Sequence, residues 1–416
     1  MSGATGPQRP SASRPRLPLP ALMTLAGSAA ITLLTELLPV GVLPQMSSSL
    51  QVPPAWIGFL ASAYAAAAAL AAIPFTVLAR PLARRPLLIG LLAVLAVANV
   101  TVAASACYML TLVVRVLAGL ANGMLWSMLA SYSAGIAAPH QRGRAIAITL
   151  SGITVTLCSG VPSAAWLAGW LGWRLTFASV GAAAALMAAC VRCTVPRLSG
   201  SRHGGRPNPV AVARIPGVRV VLATTGLLIA GHQTVYSYIA LLARLCGIGG
   251  ASLALLAFGC GAVTGIWITG TLIDRHPRPV LLCAIALIAT AMLTLTRCTD
   301  HPAVALCAIG VWGLGFGGAP TLIQTALIGA AGPDHADLVS SLQTSAYNAA
   351  IGGGSLLGGV ALGLAGVAAL PWASFCLAGA ALLTVAVGRR RAFPARRRRI
   401  IDGYHRESGH SVKERR

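Results

Sequence analysis

Apolar runs long enough to cross a bilayer recur along this chain from Ala21 onward, each ended by a short polar break. A spanning helix needs about 20 predominantly apolar residues. Breaks at Gln45 to Pro54, Arg80 to Pro86, Ala106 to Tyr108, Pro139 to Arg144 and Gly169 to Arg174 divide the first part into six helices. A polar stretch from Pro196 to Gly217 follows, and breaks near Arg244 to Gly250, Asp274 to Pro279, Thr299 to Pro302, Pro333 to Asp337 and Gly366 to Pro371 give six more. Only 9% of the residues are charged and mean hydropathy is +0.78, against about 25% charged in a soluble domain. The expected fold is therefore an all-α polytopic membrane protein of twelve transmembrane helices. Residues 1–21 form a disordered cytoplasmic tail, 22–194 a six-helix bundle, 195–218 a central cytoplasmic loop, 219–388 a second six-helix bundle, and 389–416 a basic cytoplasmic tail. No soluble stretch exceeds about thirty residues, too few for a catalytic domain of ~50 or more. The chain is not expected to be an enzyme.

Charge placement fixes an orientation. Arg115 lies within an apolar run, Arg174, Arg244 and Arg297 fall in alternate breaks, and the other 27 of the 31 Lys and Arg lie in the tails and the remaining breaks. Positive charge collects on the cytoplasmic side, so both ends are expected inside the cell, in the inner or plasma membrane. The runs Arg389 to Arg391 and Arg396 to Arg399 read as holding the last helix at an anionic lipid surface; no nucleic-acid partner is expected. The only lysine is Lys413, so no phosphate-binding loop of the G-x-x-x-x-G-K-[ST] type exists. The ten cysteines include Cys158, Cys260, Cys283 and Cys376 in apolar runs without regular spacing. Cys190 and Cys193 lack a second pair at zinc spacing. No metal and no cofactor are expected.

One carboxylate stands out. Glu36, in Thr35-Glu36-Leu37-Leu38-Pro39-Val40-Gly41, is the only acidic residue inside any long apolar run. An ionised carboxylate there costs at least about 2.5 kcal/mol, so it faces a protein interior or watery cavity and marks a pathway. The two parts of the chain also echo each other. Ala79-Arg80-Pro81-Leu82-Ala83-Arg84-Arg85-Pro86 resembles Asp274-Arg275-His276-Pro277-Arg278-Pro279, and Pro139-His140-Gln141-Arg142 precedes Pro333-Asp334-His335 by nearly the same spacing. Parallel six-helix repeats of ~195 residues place a transport site between the halves near the midplane.

Gly270-Thr271-Leu272-Ile273-Asp274-Arg275 with Arg278 resembles the cytoplasmic loop signature of the major facilitator superfamily, G-x-L-x-D-R-x-x-x-R. The first half carries Arg80, Arg84 and Arg85 there but Ala79 in place of the acid. Arg115-Val-Leu-Ala-Gly119-Leu-Ala-Asn-Gly123 resembles the family's helix-four motif, and Gly152 with Gly160-Val161-Pro162 a degenerate helix-five antiporter motif. Glu36-Leu-Leu-Pro-Val-Gly41, Arg142-Gly-Arg-Ala145, Gly172-Trp-Arg-Leu-Thr-Phe177, Gly231-His232 and Asn348 with Gly352 are similar to the drug- and sugar-efflux branch. The resemblance implies two pseudo-repeated bundles that alternate access as a monomer, exporting a small molecule in exchange for protons. A proton-coupled importer of the same fold, and a membrane scaffold or sensor, are the competing readings.

Glu36 and Arg115 sit at matching depth, each about 10 Å from the outer helix ends at ~1.5 Å per residue. The resemblance places their helices beside the cavity, where they could share proton occupancy; a static ion pair or a snorkelling Arg115 is the alternative. His232, one residue from the repeat equivalent of Glu36, is a second titrating candidate, with an ordinary pKa of about 6.5, or a core histidine. Gln233, Tyr236, Gln324, Gln343, Tyr347 and Asn348 are candidate cavity groups, although amides also pin helices together. Asp274, Asp334 and Asp337 face the basic Arg80, Arg84, Arg85, Arg142 and Arg144 across the cytoplasmic side as a gate that also includes Arg275 and Arg278. Asp334 and Asp337 capping their helix is the competing account. Aromatic content of 5% disfavours a pocket built mainly for stacking large planar cations.

Overall fold

The computed structural model describes residues 17–79, 82–138, 141–198, 209–273, 275–297, 300–331 and 336–388. Residues 1–16 of the expected N-terminal tail, 199–208 of the central loop and the basic C-terminal tail lie outside them, as do Arg80, Asp274 and Asp334, and nothing is described of the Asp337 side chain. The described regular structure is all helical: α1 Leu19–Leu50, α2 Pro54–Ala79, α3 Arg84–Ala104, α4 Tyr108–Ile136, α5 Arg142–Val155, a π-helical turn Thr156–Gly160, α6 Val161–Thr194, α7 Pro209–Ala213, α8 Pro216–Tyr236, α9 Ile239–Leu245, α10 Ala251–Leu272, α11 Pro277–Arg297, α12 Pro302–Ala331, α13 Ala336–Ala365 and α14 Ala369–Val387.

Among the described residues, eleven helical stretches are long and apolar enough to cross a membrane, and one of them, Arg144–Thr194, has 51 residues. At 1.5 Å per residue that is more than twice the ~30 Å apolar thickness of a bilayer. It breaks at Gly172, whose φ of 81° and ψ of 158° are non-helical, and counting its two legs separately gives twelve spans. Only glycine enters that part of φ/ψ space cheaply. The residues that follow fasten this turn: Trp173 meets Phe177 edge to face at 5.9 Å, and the Arg174 guanidinium donates to Ser49 Oγ at 2.6 Å and Ser105 O at 3.1 Å.

Helices α1 to α6 pack mainly among themselves, as do α8 to α14, and the two halves meet where α2 lies on α13 and where the π turn and α6 lie on α10. Close packing without a hydrophobic driving force relies on small residues. Gly261 and Gly265 of α10 face α12 backbone, and Gly313 and Gly317 of α12 face α10 backbone in return, so a Cβ at any of the four would strike a carbonyl oxygen. The exterior is apolar, with Trp170, Trp267 and Leu364 more than three-quarters exposed. That suits a lipid solvent.

Two local features depart from the breaks read in the sequence. The first helix runs through Pro39 and Pro44 to Leu50 rather than ending by Gln45. The seventh apolar run divides into α8 and α9 at Ser237 and Tyr238, where neither Gly nor Pro marks a break. Gln233 Nε2 donates to Ser237 Oγ, which lies 2.6 Å from Ser355 Oγ of α13, and the Tyr238 hydroxyl donates to Ser355 O at 3.1 Å. The backbone there still bonds, Ser237 N–H to Gln233 O and Tyr238 N–H to Val235 O, while these side-chain hydrogen bonds tie the junction to α13.

Candidate functional site

The site grows from one missing hydrogen. Pro39 has no N–H, so the carbonyl of Thr35, four residues earlier in α1, is left without its helical partner. In a membrane such a group must be satisfied from elsewhere. Arg115 of α4 supplies it: Nη1 donates to Thr35 O at 2.7 Å and Nη2 to Glu36 O at 3.1 Å. Its guanidinium carbon stands 4.1 Å above the centre of the Tyr64 ring of α2, a cation–π contact that helps hold a charge away from water. From α3, Asn99 Nδ2 donates to Thr35 Oγ1 at 3.0 Å. The Thr35–Glu36 peptide is thus gripped from α2, α3 and α4.

The Glu36 carboxylate is turned elsewhere. Asn122 lies two helical turns beyond Arg115 on the same face of α4, and its Nδ2 donates to Glu36 Oε2 at 3.2 Å. Trp126, one turn further, is directed at the same carboxylate, and the Tyr64 and Tyr347 hydroxyls lie within its electrostatic reach. Glu36 is 8% exposed, Arg115 2% and Asn122 0%. Arg115 hydrogen-bonds the backbone of α1 and leaves the carboxyl to the neutral Asn122. This arrangement gives a buried carboxyl group with a fixed donor and two hydroxyls nearby, able to hold or release one proton.

This geometry predicts a division between two Arg115 variants. Arg115→Met should lower stability by about 3 kcal/mol or more, because two hydrogen bonds from a charged group are lost and each is worth ~1.5–3 kcal/mol. Arg115→Lys, a point charge without a fork, should recover roughly half of that. Thermal melting of the detergent-purified variants measures the difference. Equal melting of Met and wild type would refute the backbone-holding role.

Other sequence candidates fall in several places. His232 is buried at the centre of a cluster of rings that includes Tyr236. Gln233 joins α8 to α13 through Ser237. Tyr347 is brought toward Glu36. Gln343 is buried with Oε1 lacking a partner among the described residues, Asn348 donates to Thr344 O of its own helix at 2.9 Å, and Gln324 is exposed on α12. On the basic side, Arg84 donates to Ser131 Oγ at 3.0 Å and Arg278 to Ala386 O at 3.3 Å. Arg85 is half-buried, and Arg142, Arg144 and Arg275 are exposed. With Asp274, Asp334 and the Asp337 side chain undescribed, the acidic side of the expected gate has no geometry here.

The helix-five motif acquires a local explanation. Pro162 cannot donate to the carbonyl four residues back, and the helix widens just before it: the Val161 N–H reaches Thr156 O, five residues back. Single π turns of this kind are frequent at functional sites. Thr156 Oγ1 lies 3.0 Å from Ala30 O and 2.9 Å from Gly152 O, and the ideal Cβ of Gly152 would fall on Ala26 O. Gly152, Gly160 and Pro162 therefore seat this segment against α1, the helix that carries Glu36.

Sequence reasoning missed Asn122, Trp126 and Tyr64. Asn122 carried a usable signal, a polar side chain seven residues after Arg115 on one helical face. Tyr64 sits in an alanine run and carried none.

Three comparisons bear on this geometry. The family model described as Major Facilitator Superfamily matches residues 25–355. A chloramphenicol resistance protein of Streptomyces lividans is 32% identical over 389 residues, 91% of this chain and 97% of that protein. Among solved structures, the xylose transporter XylE from E. coli, in a partially occluded inward-open conformation, superposes with a TM-score of 0.71 at 14% identity, covering 89% of this chain and 99% of its own. The nucleoside transporter NupG superposes with a TM-score of 0.70 at 14% identity, covering 90% and 99%.

Proposed function

Because the chain belongs to the major facilitator superfamily and is a membrane transporter, we propose that it is a proton-coupled efflux antiporter for small organic molecules. The observation that carries this reading is the buried carboxyl of Glu36, held by Asn122 and free of any hydrogen bond from Arg115. A carboxylate locked in a bidentate ion pair would stay ionised on both faces. One held by a neutral amide can exchange its proton as the surroundings change between faces.

Substrate and proton would compete at the Glu36 carboxyl, with Tyr64, Tyr347 and Trp126 in its surroundings. In the orientation that the basic residues favour, the end where α1 meets α2 is external. In this reading the basic Arg80, Arg84, Arg85, Arg142 and Arg144 and the acidic Asp274, Asp334 and Asp337 belong to the cytoplasmic side and would attract one another when that side closes. The relative's name supports efflux and puts chloramphenicol first among compounds to try.

The test is proton movement in inside-out vesicles with an acidic interior. Adding chloramphenicol, then a panel of sugars, amphiphilic drugs and amino acids, should collapse the pH gradient for at least one compound in vesicles holding the protein and for none in empty ones. Gradient-driven accumulation in the opposite direction would identify an importer and overturn the antiport reading.

A further inference from the structure

The second half contains a constellation that the proton site does not use. His232 and Tyr236 stand one turn apart on α8, Trp312 and Phe316 one turn apart on α12, and Phe258 faces both from α10. The His232 imidazole is their common centre: its ring centroid is 3.7 Å from Phe316 at 14° between planes, 4.9 Å from Tyr236 at 29°, 5.1 Å from Trp312 and 5.4 Å from Phe258. Phe258 and Trp312 close one wall edge to face at 4.9 Å, and Tyr236 meets Phe258 at 5.1 Å. All five residues are buried.

Two polar atoms in this apolar box have no hydrogen-bond partner among the described residues, His232 Nδ1 and Trp312 Nε1. A buried polar group left unpaired costs ~1–3 kcal/mol, and buried groups of this kind are nearly always satisfied. A box serving only as core would be better filled by leucine or phenylalanine. The separation and near-parallel planes of His232 and Phe316 are those of stacked flat rings, and the remaining rings offer edges and faces around that slot. Among these ring residues none bears an opposite charge to balance a bound cation. The imidazole is a small planar ring carrying a polar nitrogen, tethered inside a box shaped for such a ring.

We propose that the cage of His232, Tyr236, Phe258, Trp312 and Phe316 is the subsite for a planar, uncharged aromatic or heteroaromatic ring of the transported molecule. The imidazole swings aside to admit the ring, and the Trp312 Nε1–H donates to an acceptor upon it. This deepens the efflux reading and rests on it for the word transported. One stacked ring replaces another, so entry exchanges contacts rather than opening a void.

Equilibrium binding to the purified full-length protein tests the cage separately from transport. The probes are para-nitrobenzyl alcohol and cyclohexylmethanol, a saturated-ring alcohol without the nitro group, measured by saturation-transfer NMR in detergent. The wild type should bind the aromatic probe at least ~10-fold more tightly, a difference of about 1.4 kcal/mol. Phe316→Leu should abolish that preference, with Tyr236→Leu as the second variant should the first fail to fold. Trp312→Phe, which keeps a ring and removes only the N–H, should keep the preference for a ring and weaken para-nitrobenzyl alcohol relative to toluene. Equal affinity of the two alcohols in the wild type, or a preference untouched by Phe316→Leu and Tyr236→Leu, would overturn the proposal. An absent preference in a protein that still collapses a pH gradient removes the cage and spares the antiport reading. A clear preference in a protein that moves no proton supports the cage and removes the other.

Discussion

Glu36→Gln is expected to abolish substrate-driven collapse of the pH gradient while leaving the protein folded in the membrane. The substitution is nearly isosteric, and the glutamine Oε1 can still accept from Asn122, the donor that now stands 3.2 Å from the carboxylate. Arg115 keeps both of its hydrogen bonds, because they go to the backbone carbonyls of Thr35 and Glu36. What disappears is the only titratable acid that this chain places inside an apolar run. If that group carries the coupled proton, flux falls to the uncoupled leak, by at least ~100-fold, or about 2.7 kcal/mol in the barrier. Fluorescence quenching in inside-out vesicles reads the flux, and size-exclusion of the detergent extract reads the fold. Counterflow of labelled against unlabelled substrate should persist, since exchange needs binding and rocking but no net proton. Proton-driven flux above half of the wild-type rate would remove Glu36 from the coupling role. Loss of both flux and folded protein would mark it as structural.

What the sequence disclosed about this region follows a physical divide. Spans and their number are written in long apolar stretches, because a solvent of lipid demands ~20 apolar residues at a time. The bend at Gly172 was legible for a related reason, since a positive φ selects glycine. Depth along a helix was misread: the polar breaks end the first helix before Gln45, whereas α1 continues to Leu50, and it is the hydrogen bonds from Arg115 to Thr35 O and Glu36 O that bring the two together. Which atom the guanidinium holds was not readable from depth alone; it depends on Pro39 orphaning the Thr35 carbonyl, a deduction that needs the helix to continue past the proline. The split of α8 from α9 left no composition mark; neither Gly nor Pro is present, and the junction's side-chain partner, Ser355, is more than a hundred residues away. The ring cage shows the same limit. A low overall aromatic content argued against a pocket built mainly for stacking large planar cations and gave no sign that five ring-bearing residues from three helices converge on one point. Composition averages over the chain, whereas a site needs only local enrichment produced by tertiary packing.

A second large effect is expected where the halves meet at the α1–α2 end. Tyr238 is wholly buried and its hydroxyl occupies a notch cut by glycines of both halves. An ideal Cβ on Gly58 of α2 would land on that hydroxyl, one on Gly359 of α13 would come within 2.8 Å of it, and one on Gly358 within 2.8 Å of the ring. The tyrosine cannot retreat, because the α13 backbone backs it and Ser355 O accepts its proton. Gly58→Val should therefore prevent this end from closing. Overpacking of this kind costs typically ~1–3 kcal/mol, and here only the closed state bears it, so the closed-to-open ratio drops by ~5- to 150-fold. Transport requires both states, so efflux should fall by ~10-fold or more. Accessibility should move the opposite way. Ser62, buried one turn below Gly58, is covered by the seal, and a cysteine there, in a chain whose native cysteines are serine, should react faster with a membrane-impermeant maleimide in the Gly58→Val background. Adding Tyr238→Ala makes room for the valine and should return both labelling and flux toward wild type, the coupling expected of side chains that share one contact. Labelling unchanged by Gly58→Val, or a double variant no better than the single one, would show that Tyr238 does not seal this end.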